Sequence, residues 1–102
     1  MELRVLEYFL AVAREQNITR AAEYLHLTQP TLSRQLSDLE EEFGKQLMIR
    51  GKRKITLTED GLFFRKRAEE IVSLAKRTET EMKAVSDSIV GDIYIGTGES
   101  VS

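Results

Sequence analysis

The 102-residue chain has no cysteine and no tryptophan, and only one proline and one histidine. Without cysteine there is no disulfide staple, no Cys-ligated zinc and no thiol chemistry. No apolar run approaches the roughly 20 residues that cross a bilayer. Met1-Glu2-Leu3-Arg4 is not the basic stretch followed by an apolar run that opens a secretory signal, so a cytoplasmic location is expected. His26 lacks the companions a metal site or pH sensor would need and reads as a helix-end residue. Gly96-Thr97-Gly98-Glu99-Ser100-Val101 follows a strand-like run, but Val101 stands where a dinucleotide loop needs its third glycine and no helix follows. No nucleophile–base pair, metal set or cofactor loop is left, so neither an enzyme nor a bound cofactor is expected in this segment. What is present is 41% hydrophobic and 31% charged, ordinary for one soluble domain with a modest core.

The formal net charge is −2, yet Lys45, Arg50, Lys52, Arg53 and Lys54 lie within ten residues that hold no acid. Phosphate binding depends on such a local basic surface and not on the charge of the whole chain. A solvated basic loop is the plainer alternative, and the run alone does not decide between them.

Apolar spacing organises the rest. Leu3, Leu6, Leu10 and Ala13, with Phe9 beside them, predict an amphipathic helix ending at Glu15-Gln16-Asn17. Asn17 or Thr19 can cap a short helix from Arg20 to His26, whose paired Ala21 and Ala22 allow close helix contact. Thr28 caps a third helix from about Gln29 to Glu42, with Pro30 tolerated in its first turn and Gly44 ending it. Its inner stripe is Leu32, Leu36, Leu39 and Phe43. Leu47–Arg50 and Lys54–Leu57 flank Gly51-Lys52-Arg53 as a small hairpin.

Thr58 then caps a long helix from roughly Glu59 to Ser88, about 45 Å at 1.5 Å per residue. Phe64, Ala68, Ile71, Ala75, Thr78, Met82, Val85 and Ile89 follow an alternating four–three spacing, the seam of a coiled coil. Such a stripe needs a partner helix, unless it packs on its own domain. Residues 91–96 alternate as one strand opening something else.

Two helices joined by a short turn, the second with a polar outer face, make a helix-turn-helix. Gln29 at the helix start, then Pro30, Thr31, Arg34, Ser37 and Asp38, fall on or near the outer side. Glutamine suits adenine, arginine suits guanine, and threonine offers a hydroxyl and a methyl. Asp38, Glu40, Glu41 and Glu42 would be repelled by phosphates, so the N-terminal end is the reading end. Arg50, Lys52, Arg53 and Lys54 would contact phosphates or the minor groove as a wing. A protein-interaction module that reuses the fold without DNA is the competing reading, supported only by the acids and the net charge.

Residues 1–90 resemble the N-terminal region of a LysR-type transcriptional regulator. The resemblance is carried by Leu6–Ala13, Thr19–Leu25, Thr28–Gln35, Leu39-Glu40, Gly44, Leu47, Arg50 and Leu57–Gly61, with Gln29-Pro30-Thr31-Leu32-Ser33 the most specific stretch. Met48, Ile18 and Asp60 depart from the usual residues; the first two are apolar exchanges within the packing. The resemblance implies Gln29, Pro30, Thr31, Ser33 and Arg34 in the DNA groove, Thr19 and Arg20 on the backbone, and Arg50 and Arg53 in the wing.

It also implies a homodimer through antiparallel linker helices, reading an interrupted inverted repeat of double-stranded DNA, with a tetramer open to the full-length protein. The expected architecture is mainly α. A winged helix-turn-helix of three helices and a β-hairpin spans 1–58, and a dimerisation helix spans 59–89. Residues 90–102 would begin a truncated effector-binding domain whose small-molecule inducer cleft Thr97 to Ser100 would border.

Overall fold

Val5, Leu6, Phe9 and Val12 make one buried face of α1, Leu3–Glu15. The face is centred on Phe9, so Leu3, expected inside, is exposed, while Leu10 and Ala13 lie half-buried at its edge. The computed structural model describes the backbone of residues 1–91 and the side chains of residues 1–85. Helix α1 ends at Gln16 in the left-handed region, φ 56°. The Gln16 carbonyl accepts the Ile55 N–H at 2.9 Å, tying the hairpin to the end of α1.

Helix α2, Ile18–Leu25, starts two residues before its expected Arg20. Both Asn17 and Thr19 are capping residue types, and Asn17 takes the position, its Oδ1 accepting the Arg20 N–H at 2.8 Å. Ala21 and Ala22 are buried, and His26 ends the helix at φ 60°. Helix α3, Gln29–Phe43, is capped by Thr28, whose Oγ1 accepts the Thr31 N–H at 3.3 Å, and ends at Gly44 with φ 63°.

Leu32, Leu36 and Leu39 are buried, but Phe43 is 39% exposed and leans on Phe64 with ring centroids 5.4 Å apart. That corrects its expected place in the inner stripe. The helix ends there, at the edge of the core.

Strands β1, Met48–Arg50, and β2, Ile55–Leu57, pair antiparallel with Met48 opposite Leu57 and Arg50 opposite Ile55. The Gly51 N–H closes the turn on the Lys54 carbonyl at 3.0 Å. Helix α4, Glu59–Gly91, begins at Thr58, whose Oγ1 accepts the Gly61 N–H at 3.0 Å while its hydroxyl donates to the Gln46 carbonyl at 2.6 Å.

A first compact unit runs Met1–Val72, within which Phe64, Ala68 and Val72 pack against the α1 core. A second unit begins at Ser73. The strand expected over 91–96 and the loop Thr97 to Ser100 lie outside the described residues.

Gly61 is where α4 meets the hairpin. A Cβ there would overlap the Leu47 carbonyl oxygen and come within 3.2 Å of the Leu57 Cβ. That carbonyl is held in place, because it accepts the Thr58 N–H at 3.1 Å. Gly61→Ala should therefore displace backbone and cost about 1–3 kcal/mol. The check is the urea midpoint, which should fall; an unmoved midpoint would mean that this junction gives way freely.

Candidate nucleic-acid interface

Capping by Thr28 sets where α3 begins, and so where its first polar side chains emerge. Gln29, Pro30 and Arg34 are exposed, and Thr31 and Ser33 are half-buried. The buried leucines fix the opposite side of the helix against α1 and α2. The five residues therefore share the surface of one helix N-terminal half, as their spacing predicts.

Thr19 and Arg20 emerge beside this surface from the first turn of α2, both exposed. Thr19 Oγ1 donates to Gln29 Oε1 at 3.2 Å, so one expected backbone residue touches one expected reading residue. Lys52, Arg53 and Lys54 occupy the hairpin turn, all exposed. With Asn17, Ile18 and Thr19 they line a shallow crevice of about 180 Å³, which brings the start of α2 and the wing tip together.

Arg50 is placed differently. It sits at the end of β1, and its Nη1 donates to Ser33 Oγ on α3 at 2.7 Å. Among the described residues the ion pairs are Met1–Glu42, Arg4–Glu2, Arg14–Glu15 and Arg67–Glu70. Arg20, Arg34, Arg50, Lys52, Arg53 and Lys54 are in none of them, so their positive charge faces solvent uncompensated by a bridge.

The acidic stretch behaves less uniformly than its composition suggests. Glu40 Oε2 accepts the Leu47 N–H at 2.7 Å and the Met48 N–H at 3.1 Å. It thus anchors the start of the hairpin to α3, satisfying two backbone donors that would otherwise go unpaired next to buried side chains. Helical spacing does not mark Glu40 apart from its acidic neighbours, since the two donors come from seven and eight residues away.

The seam of α4 divides. Ala68 is fully buried against Leu6, and Phe64 packs edge-on against Phe9 with centroids 5.0 Å apart. Both belong to this chain's own core, which corrects their place in a wholly free partner surface. Ile71, Thr78, Met82 and Val85 are exposed and Ala75 is half-buried; the Ile89 side chain lies outside the described residues. Val72 in the core and Leu74 at the surface are additions that the strict four–three spacing passed over.

Residues 3–62 match the family model described as "Bacterial regulatory helix-turn-helix protein, lysR family". The chain belongs to the LysR family. Among LysR-family relatives, it is 43% identical to the HTH-type transcriptional regulator BsdA of Bacillus subtilis, over 95% of this chain and 34% of that protein. It is also 43% identical to the HTH-type transcriptional regulator BenM of Acinetobacter baylyi, over 94% of this chain and 34% of that protein. The chain thus spans about a third of these curated relatives.

The crystal structure of a BenM_DBD/catB site 1 DNA complex matches with TM-score 0.82 at 44% identity, covering 84% of this chain and 97% of that one. The CbnR_DBD–DNA complex matches with TM-score 0.80 at 41% identity, covering 84% of this chain and 99% of that one. The fold is therefore a LysR-type winged helix-turn-helix followed by a long helix.

Proposed function

We propose that this chain is the DNA-reading and dimer-forming segment of a bacterial transcription regulator. The observation that carries this reading is the joint placement of Gln29–Arg34 and the unbridged basic wing on neighbouring parts of one surface. The relatives crystallised as DNA complexes support it. In this reading Gln29, Pro30, Thr31, Ser33 and Arg34 enter the major groove. Thr19, Arg20 and the wing residues Lys52, Arg53 and Lys54 hold the sugar-phosphate backbone and set the register. Arg50 lies between the two groups. The segment performs no chemistry, needs no cofactor and acts in the cytoplasm; among the described residues no helix is long and apolar enough to cross a membrane.

Salt titration tests the reading. Each neutralised phosphate releases counterions, so log affinity should fall with log salt at about 0.9 per contact. Flat, salt-independent binding, or none to any duplex at low salt, would end the DNA assignment. Arg53→Ala should lower that slope by about one and weaken all sequences alike. Selective loss on one sequence would move Arg53 from the wing to base reading.

A single such helix reads half a site. Ile71, Leu74, Met82 and Val85 leave large apolar side chains exposed on α4, which an isolated helix cannot cover. A second copy pairing through α4 would present two reading helices to an interrupted inverted repeat, with tetramers open to a longer protein. Ile71→Lys combined with Met82→Lys should yield monomers by analytical sedimentation, and an unchanged sedimentation coefficient would refute the pairing. In the longer protein, a small-molecule inducer bound beyond α4 would act on the DNA through this pairing.

A further inference from the structure

Asp38, Glu40, Glu41 and Glu42 share the C-terminal half of α3, but Glu40 is bonded unlike the rest. Asp38 and Glu41 are exposed, and Glu42 pairs with the Met1 amino group at 3.0 Å. Glu40 is half-buried, and its Oε2 alone accepts two backbone N–H groups, from Leu47 at 2.7 Å and Met48 at 3.1 Å. The side chains of Leu47 and Met48 are buried next to it. A carboxylate on amide donors makes charge-assisted bonds, roughly twice as strong as neutral ones.

The same stretch of chain is tied to α3 a second time, through Arg50 Nη1, which donates to Ser33 Oγ at 2.7 Å. Ser33 and Glu40 lie about 10.5 Å apart along the helix and only about 20° apart around it. Extended chain from Leu47 to Arg50 covers about 10 Å. The two spans match, so the strand entering the wing runs back along one side of α3, pinned near both ends. On the other strand the Gln16 carbonyl holds the Ile55 N–H at 2.9 Å, and the turn closes from the Gly51 N–H to the Lys54 carbonyl at 3.0 Å. Lys52 and Arg53 therefore project from a turn whose two arms are fixed. Of the two ties to α3, Arg50 holds by a side chain, whereas Glu40 grips the backbone where β1 begins. A tilt of about 10° at Met48 would carry the turn, about 10 Å further on, by about 2 Å. That is far more than a hydrogen bond to phosphate tolerates.

We propose that Glu40 is a positioning residue for DNA binding, its carboxylate holding the basic wing at a fixed reach from the reading helix. It touches no DNA and acts through Lys52, Arg53 and Lys54. The role carries a sign opposite to that of simple electrostatics. An acid near phosphates weakens binding, so removing one should strengthen it; removing Glu40 should weaken it. The inference rests on the DNA reading proposed above.

The experiment uses the full 102-residue chain and a duplex that the wild-type chain selects from a random pool. Kd is measured over a salt series, at a temperature where circular dichroism shows each variant folded. Glu40→Ala should weaken binding about tenfold, the worth of one hydrogen-bonded contact. It should also flatten the slope of log Kd against log salt by about one, the signature of a lost phosphate contact. Glu40→Gln, which keeps one acceptor oxygen, should fall between, and it carries the test if the alanine variant does not fold. Glu41→Gln should bind at least as tightly as wild type. With Lys52, Arg53 and Lys54 all changed to alanine, removing Glu40 should cost nothing further. Binding by the Glu40 variants as tight as wild type overturns the positioning role, as does an equal weakening in Glu41→Gln. A loss that is the same with and without the wing lysines and arginine, at an unchanged salt slope, overturns it too, because it reports general loosening of the fold. If the wild-type chain binds no duplex at low salt, the DNA reading itself fails.

Discussion

Phe9→Ala is expected to remove about 3–5 kcal/mol of folding stability, the cost of deleting a fully buried aromatic side chain. Phe9 is fully buried and belongs to the cluster that joins α1, α2, α3 and the hairpin. Its ring also meets Phe64 of α4 at 5.0 Å with the planes 75° apart, the edge-to-face arrangement that aromatic quadrupoles favour. Phe64 in turn contacts Phe43. One truncation therefore opens a cavity in the helical core and removes the ring on which the first turns of α4 rest. Small domains are stable by only about 5–15 kcal/mol, so the variant should sit near the edge of folding. Urea denaturation followed by far-UV circular dichroism measures this directly. Phe9→Leu, which keeps most of the volume, should recover the greater part of the loss. A cost below about 1 kcal/mol for the alanine variant would show that the site collapses and that the aromatic trio is not a structural joint.

Arg34→Ala and Gln29→Ala are expected to leave the fold intact and to damage discrimination. Both side chains are exposed, and neither contributes to the buried leucine face of α3. Each should relax preference at one base pair per half-site by about 1–3 kcal/mol, or roughly five- to 150-fold in relative affinity. The measurement compares affinities for the selected duplex and for duplexes substituted at single positions. Uniform weakening on every duplex, with a shallower salt slope, would make Arg34 a phosphate contact. Placement favours base reading for Arg34, which stands at the centre of the outer face one turn inside the helix.

The sequence made the ends of elements legible because capping chemistry is local. Thr28, Thr58 and Gly44 each act within three or four residues of themselves, and each stands where the pattern puts it. Even α2 failed only in choosing between two adequate caps. The polar face of α3 was legible for the same reason, since a helical period fixes what opposes a leucine stripe.

What covers an apolar stripe was not legible. Phe64 and Ala68 continue the same spacing as Met82 and Val85, yet the first pair meets α1 and the second is exposed. Period reports that a face is apolar; it carries no information about which neighbour reaches it. The bonds of Arg50 to Ser33 and Glu40 to Leu47 and Met48 join residues 17, seven and eight positions apart, and depend on how the hairpin folds back.

Glu40 bears on how this protein could be redesigned. Raising DNA affinity by neutralising acids near the reading helix is an obvious course, because phosphates repel them. The exposed Asp38 and Glu41 are suitable positions for asparagine or glutamine. Glu40 belongs on the list of residues to keep, since the same exchange there would trade a charge-assisted clamp on two backbone amides for a weaker neutral one. A charge-swap library that treats Asp38 through Glu42 as one block would confuse loosening of the wing with relief of repulsion.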